Sequence, residues 1–252
     1  MLKSNRQNPT HNARRPWFRR SSIRLHLSRL SRRWYLWAPL ILIGLVVIAL
    51  STTFLQVYWL RSHNPKTTSW MKLNRKPTAG ELKNMNAPRE WMTLKRLPSH
   101  LPQAVIAAED ANFYKHRGFD WDAMAKAYKH NEIKGRVRRG GSTITQQLAK
   151  NLYLTGERSY IRKVREGVIT YFLELLLTKD RILEIYLNVI EFGPGVYGID
   201  RAAEYHFGVS AEQLNVNQVC RLAAIIPSPR RYKINGAYVM KRAARIEKMI
   251  GK

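Results

Sequence analysis

Glu109 carries the clearest chemical signal in the sequence. It closes the apolar segment 104–108 and is followed directly by Asp110. A carboxylate at the edge of an apolar helix is partly desolvated, which raises its pKa and suits it to proton transfer. Because successive residues point in different directions on a helix, the two acids are not a paired dyad by themselves. A helix that simply ends in acids, with His116 as a capping residue, explains the stretch equally well.

Glu166 is the second acid with a distinctive setting, because it lies in a run of cations. These are Arg158, Arg162, Lys163 and Arg165. Clustered Arg and Lys side chains suit the binding of a pyrophosphate. A salt bridge between Arg162 and Glu166, four residues apart on a helix, is the simpler and more common alternative. Capping or ion pairing is likewise the favoured interpretation of Glu184 and Asn188, which lie on the amphipathic stretch 179–188.

A polar stretch, 140–151, lies between the two acids. Gly140 and Gly141 permit a loop there, and Ser142 is predicted as the N-cap of the helix that follows. One face of that helix carries hydroxyl, amide and ammonium groups: Thr143, Gln146, Gln147 and Lys150. Such a face makes a poor core, and the free N–H groups of a helix start attract anions. An ordinary helix with a solvated polar side is the alternative.

Helical spacing and capping residues predict a mainly α domain without repeats or a sustained strand pattern. The predicted helices are 103–110, 121–133, 159–177, 180–190, 199–207, 211–226 with a break near Asn215, and 237–250. A glycine-rich break separates two of them over 191–198. Asp120 and Thr178 are predicted N-caps, and Ser210 with Gln213 a capping box. Cys220, the single cysteine, is predicted to be buried.

An uncharged segment, 38–59, is long enough to cross a hydrocarbon layer, which needs about 20 apolar residues. Trp and Tyr residues flank it at both ends, as in interfacial aromatic belts. Ten Lys/Arg and no acid lie within residues 1–60, which predicts a cytoplasmic N-terminus. A retained anchor is favoured over a cleavable signal peptide, because no cleavage site follows. The predicted organisation is a basic cytoplasmic tail (1–36), an anchor (37–60), a connector (61–96) and a catalytic domain (97–252).

The formal net charge of +27 predicts an anionic partner: nucleic acid, phospholipid or a phosphorylated substrate. The part after residue 60 remains basic, with 34 Lys/Arg against 17 acids. The sequence contains no HExxH, G-x-S-x-G, Rossmann or Walker A motif, and its histidines lack metal-ligand spacing. Hydride transfer and nucleotide hydrolysis are therefore not expected.

Five stretches resemble, in order, the five motifs of the peptidoglycan glycosyltransferases of family 51. They are 109–118, 140–151, 162–166, 179–188, and Arg221-Leu222-Ala223 with Pro227 and Tyr232. The similarity runs from about residue 97 to 235, and the sequence GGSTITQQLAKN is highly specific. With one anchor and no room for a C-terminal transpeptidase, the chain resembles the monofunctional members of the family.

The resemblance implies a mainly α, lysozyme-like domain with a membrane-facing lobe. It also implies polymerisation of lipid II outside the cytoplasmic (inner) membrane, with inversion at C1 and release of undecaprenyl pyrophosphate. By position, Glu109 would be the general base for the acceptor sugar's 4-hydroxyl, and Glu166 would assist near the leaving pyrophosphate. Lys150 and the cations around Glu166 would stabilise the phosphate charge.

The remaining expectations also come from the resemblance. Substrate contacts are expected from Asp110, Phe113, His116, Lys126, Ser142, Thr143, Gln146, Gln147, Lys150, Asn151, Arg158, Arg162, Lys163, Arg165, Glu184 and Asn188. Lys126 stands where the family more often has Arg. A divalent cation (Mg or Mn) on the pyrophosphate is implied, with no metal-ligand residue assigned and no organic cofactor. The implied partners are lipid II, the nascent glycan strand, membrane lipid and cell-wall synthesis or division proteins, but no nucleic acid.

Two other functions stay open. A peptidoglycan-cleaving enzyme of similar fold would use two carboxyl groups, but it would not need cations for a pyrophosphate. A non-enzymatic, membrane-tethered protein would bind anionic polymers or lipid through its basic domain, with strongly salt-dependent affinity.

Overall fold

The computed structural model describes residues 34–73, 90–133, 140–156 and 159–251. The chain divides into two units, 1–50 and 51–252. The described part of the first unit belongs to helix α1 (Trp34–Trp59), whose apolar side chains are largely exposed. Over Trp37–Trp59 this helix has a mean hydropathy of 2.4, and its length and composition suffice to cross a membrane. The predicted basic tail lies, up to residue 33, outside the described residues.

The second unit is mainly helical, as the sequence predicted. Its helices are α2 (Ser69–Leu73), α3 (His100–Glu109), α4 (Trp121–Ile133), α5 (Ile144–Tyr153), α6 (Tyr160–Leu176), α7 (Lys179–Val189), α8 (Ile199–Phe207), α9 (Val216–Ile225) and α10 (Ala237–Ile250). A 3-10 turn, Ala211–Gln213, precedes α9, which confirms the predicted break near Asn215. The glycine-rich break holds an antiparallel hairpin of β1 (Glu191–Gly193) and β2 (Val196–Tyr197).

Two groups of helices build the core around the site. α3, α9 and α10 pack on one another, and α5 packs against both α6 and α7. α7 lies at the centre, since Ile182, Leu183, Ile185 and Tyr186 are all fully buried. Cys220 is buried on α9, as predicted. Glu109 ends α3 and Gln147 lies on α5, so side chains of the two groups meet at the site.

Packing continues on the N-terminal side of residue 97, where the sequence predicted only a polar connector. α2 packs against α5. Met92 is buried, and its backbone N–H donates to Asn188 Oδ1 at 2.9 Å while its carbonyl accepts from Asn188 Nδ2 at 2.8 Å. Trp91 Nε1 and Leu94 N donate to Glu184. The segment is thus bound to α7 by polar side chains of that helix.

Helical spacing on α6 predicts an apolar face of Ile161, Val164, Val168, Phe172 and Leu175, but none of these side chains is buried. Ile161 and Val164 are 75% and 67% exposed, and Leu175 is also exposed. The buried positions of this helix are instead Glu166, Ile169, Thr170 and Leu173. A run of exposed apolar side chains on one helix is typical of a surface that meets a membrane or another protein.

The predicted N-cap at Ser142 is wrong, because Thr143 caps α5. The Thr143 hydroxyl accepts from Gln146 N at 3.2 Å, and Gln146 Oε1 accepts from Thr143 N at 3.0 Å. This reciprocal capping box needs Glu or Gln three residues after the cap. Thr143 has Gln146 at that distance, whereas Ser142 has Thr145. The caps predicted at Asp120 and Thr178 and the box of Ser210 with Gln213 are confirmed.

We expect T143A to lower the free energy of unfolding by about 2 kcal/mol. The substitution removes the cap and also the hydrogen bond that Thr143 Oγ1 donates to Gly118 O at 2.7 Å in a buried setting. Guanidinium unfolding of the full-length protein in detergent measures the loss. T143S keeps the hydroxyl and is the control, so equal stability of T143A and T143S would contradict the assignment.

Candidate active site

A cavity of about 1100 Å³ lies among α2, α3, α4, α5, α6 and α10. Both predicted catalytic acids, Glu109 and Glu166, line it. Six of the predicted substrate-binding residues line it as well: Lys126, Ser142, Gln146, Gln147, Lys150 and Asn151. Residues remote in sequence thus meet in one concave site, which is where ligands usually bind.

The Glu109 carboxylate is held at both oxygens. Gln147 Nε2 donates to Oε2 at 2.9 Å, and Arg242 Nη2 donates to Oε1 at 2.9 Å. The Gln147 carbonyl oxygen in turn accepts from the buried hydroxyl of Tyr186 at 2.8 Å. Because that bond fixes the amide with its NH₂ towards Glu109, the carboxylate has a defined orientation although it ends a helix.

Burial raises the pKa of the Glu109 carboxyl above its ordinary value, and the neighbouring charge of Asp110 acts in the same direction. The hydrogen bond from Gln147 and the charge of Arg242 oppose this effect without cancelling it. The direction agrees with what the apolar segment before Glu109 led us to expect. A carboxyl group with a raised pKa is a stronger base once it is ionised, which suits it to accept a proton from a sugar hydroxyl.

Glu166 is only 4% exposed and is paired with two cations of its own helix. Arg162 Nη1 donates to its Oε2 at 2.9 Å, and Lys163 Nζ donates to its Oε1. The salt bridge that the spacing allowed is therefore present. Glu166 borders the cavity, whereas the predicted contact residues Arg162 and Lys163 are not among its lining residues and are linked to it through this carboxylate.

Further cations and an aromatic ring line the cavity at positions that no sequence motif indicated. α10 contributes Lys241, Arg242 and Arg245, and α2 contributes Trp70. The Lys150 ammonium lies 5.1 Å from the centre of the Trp70 ring. The spacing of Lys241 and Arg245, four residues apart, was the available signal for a basic helix face. Nothing local in the sequence shows that this face turns towards Glu109.

Asp110, Phe113 and His116 do not line the cavity but support its wall. Asp110 accepts from the Ile144 backbone N–H at 2.9 Å and from His116 Nε2 at 2.9 Å. Gly118 N donates to His116 Nδ1, so the ring proton is on Nε2. Phe113 is fully buried, and the centre of its ring lies 4.5 Å from the Lys179 ammonium nitrogen. These contacts fix the start of α5 against the turn after α3.

The other predicted contact residues have different surroundings. Glu184 and Asn188 bind the segment 91–94, and Thr143 caps α5, so none of the three lines the cavity. Arg165 is exposed and is not among the cavity residues either. Arg158 lies outside the described residues. The composition of the basic loop 134–141, with its glycines, predicts a mobile segment, but residues 134–139 also lie outside the described residues.

Among the residues that the structure describes, no group of three or more His, Cys, Asp and Glu side chains is arranged to hold a metal ion. Each of the three described acids that line the cavity is paired with a cation: Glu109 with Arg242, Glu166 with Arg162 and Lys163, and Glu191 with Arg230. A divalent cation carried by a pyrophosphate would belong to the substrate, and that expectation remains a prediction.

Residues 76–250 match the family model described as Transglycosylase. This match makes the protein a glycosyltransferase. The chain is 45% identical over 225 residues to the "Biosynthetic peptidoglycan transglycosylase" of Herminiimonas arsenicoxydans, covering 88% of this chain and 97% of that protein. Identity is 46% to the protein of the same name from Janthinobacterium sp. (strain Marseille), covering 81% and 88%. The chain therefore belongs to the transglycosylase family that takes part in peptidoglycan synthesis.

Proposed function

We propose that this protein polymerises lipid II into glycan strands, with inversion at C1 and release of undecaprenyl pyrophosphate. The observation that carries the proposal is the Glu109 carboxylate. It is buried in a cationic cavity and oriented by Gln147 and Arg242. The names of the relatives support the product, peptidoglycan, and the geometry supports the choice of base.

The proposed step balances without a cofactor. The 4-hydroxyl oxygen of the acceptor sugar attacks C1 of the lipid-linked donor, and its proton passes to Glu109. The C1–O bond to the phosphate breaks, and its electron pair leaves with the pyrophosphate. Attack opposite to the leaving group inverts the configuration at C1. Glu109 serves this step because its raised pKa lets it hold the proton that it receives.

The cations of the cavity are proposed to stabilise the leaving group. Negative charge grows on the pyrophosphate as the C1–O bond breaks, and fixed cations in a partly water-excluded site lower the energy of that state. Lys150, Lys126 and Arg245 line the cavity and are the cations proposed for this task. Glu166 is proposed to hold Arg162 and Lys163 in place beside it. A hydrolase would have no comparable use for this many cations.

The apolar helix α1 fits a single-pass anchor in the cytoplasmic membrane. We propose that its N-terminus is cytoplasmic, because residues 1–60 carry ten Lys/Arg and no acid, and that the catalytic domain is periplasmic. An anchored enzyme stays beside a lipid-linked donor, which raises the local concentration of that substrate. Cell-wall synthesis or division proteins are proposed as further partners.

Incubation of the purified full-length protein with fluorescent lipid II tests the proposal. We expect long glycan strands, released undecaprenyl pyrophosphate and an inverted anomeric configuration in the product. A parallel incubation with preformed strands separates polymerase from cleaving enzyme. Shortening of those strands without consumption of lipid II would overturn the proposal. Binding of lipid II without either reaction would leave only an anionic-lipid binder and would also overturn it.

A further inference from the structure

Arg242 forms an ion pair with the proposed base, Glu109, although it lies near the other end of the domain in sequence. Its Nη2 donates to Glu109 Oε1 at 2.9 Å and to the Ala108 carbonyl oxygen at 3.0 Å. The second bond reaches the last turn of α3, where carbonyl groups lack partners within the helix. One guanidinium group therefore binds both the carboxylate and the backbone that carries it, across 133 residues of sequence.

We propose that Arg242 is the positioning residue of Glu109, holding its carboxylate ionised and in one orientation for the acceptor hydroxyl. The inference rests on the proposed function, in which Glu109 is the base. Arg242 acts through Glu109: it is not itself required to touch the reacting atoms. It supplies one of the two donors to the Glu109 carboxylate, and Gln147, held by Tyr186, supplies the other.

The charges around Glu109 determine what Arg242 contributes. Burial and the neighbouring Asp110 favour the protonated carboxyl, whereas Arg242 and the Gln147 amide favour the carboxylate. Tyr186, which faces the same carboxylate, is fully buried and has a strongly raised pKa, so its hydroxyl stays protonated. Arg242 is the cation that pairs directly with Glu109, at 2.9 Å, while Lys126, Lys150, Lys241 and Arg245 line the same cavity.

Loss of Arg242 should therefore raise the pKa of Glu109 further. A base must be ionised before it can accept a proton, so activity falls on the acid side of the pH profile as Glu109 becomes protonated. Removing the guanidinium should move this acid limb to higher pH. Lost orientation should in addition lower kcat at the plateau, by up to about 100-fold, whereas KM should change less.

The experiment measures pH profiles of kcat and kcat/KM for lipid II polymerisation with wild type, R242Q and R242K. We expect R242Q to show the displaced acid limb and the lower plateau. R242K keeps a cation but loses the forked guanidinium group, which donates to two acceptors. The acid side of its pH profile should therefore lie close to that of the wild type, whereas its kcat at the plateau should stay lower. K248Q removes one charge from an exposed position of the same helix outside the cavity lining, and its limb should stay at the wild-type pH.

Each result has a distinct meaning. If kcat of R242Q falls by the same factor at every pH, and the acid side of the profile does not move, Arg242 is only a structural contact and the inference is overturned. If the acid side of the profile moves by the same amount in K248Q, the shift is an effect of net charge, and the inference is also overturned. If the wild type does not polymerise lipid II, the proposed function itself fails, independently of Arg242. If E109Q polymerises lipid II, Glu109 is not the base and the role proposed for Arg242 falls with it. Thermal unfolding of each variant confirms that the comparison is between folded proteins.

Discussion

E109Q is expected to lose glycan polymerisation by a factor of about 10² to 10⁴, the usual contribution of a general base. The substitution preserves the size of the side chain and removes its capacity to take up a proton at neutral pH. The cavity and its cations remain, so binding of lipid II should persist. Polymerisation of fluorescent lipid II, with a parallel binding measurement, separates the two effects.

The fold should survive E109Q for a reason that follows from linkage. The pKa of Glu109 is raised in the folded state, so the folded protein binds the proton more tightly than the unfolded chain. The stability that this proton contributes is present below the ordinary pKa of a glutamate, and it is lost as pH rises through the folded value. At neutral pH the ionised, buried carboxylate therefore costs stability. We expect E109Q to be at least as stable as wild type there, although Arg242 loses its anionic partner.

This gives the prediction two independent readouts. Unfolding at pH 7 should occur at no lower denaturant concentration in E109Q. Its stability should also depend less on pH than that of the wild type between the ordinary pKa of a glutamate and the raised pKa of Glu109. Retained polymerisation in a folded E109Q would reject Glu109 as the base. E132Q is a suitable control, because Glu132 is exposed on α4 outside the cavity lining and its substitution should leave polymerisation unchanged.

The start of α5 shows how much of the site can be predicted from local sequence. A helix after two glycines, with polar residues three and four apart, was predictable and brings Gln147 and Lys150 to the cavity. The position of the N-cap was not predictable from residue type alone, because Ser142 and Thr143 are both good capping residues. Only the partner three residues later distinguishes them. Local rules therefore gave the element but missed its first residue by one position.

Tertiary contacts explain what local rules missed altogether. Arg242 meets Glu109 because α10 packs against α3, and no local sequence pattern encodes a pairing over such a separation. Trp70, predicted within a connector, donates to Glu191 from 121 residues away and helps to line the cavity. On α6 the buried side is marked by Glu166 and Thr170, which a search for apolar spacing does not select. Buried polar residues of a site are, by their nature, exceptions to hydrophobic patterning.

E166Q is the second substitution for which we expect a large effect, a fall in kcat of roughly 10². Glu166 lines the cavity and pairs with Arg162 and Lys163, and a neutral amide would hold those cations less firmly. Cations that are free to move must be reorganised as charge develops on the leaving group, which raises the barrier. The single-turnover rate of donor cleavage should therefore fall more than the affinity for lipid II.

Glu174 provides a matched control for E166Q on the same helix. Its carboxylate is also largely buried, accepts from Thr145 Oγ1, and forms an ion pair with Lys179 at 2.8 Å, but it does not line the cavity. Both substitutions remove one partner of a buried ion pair, so both should lower the denaturation midpoint. At a temperature where both variants are folded, only E166Q should lose turnover. Near-normal turnover in E166Q, or an equal loss in E174Q, would show that Glu166 is a structural salt-bridge partner. The charge on the leaving pyrophosphate would then be stabilised by the other cations.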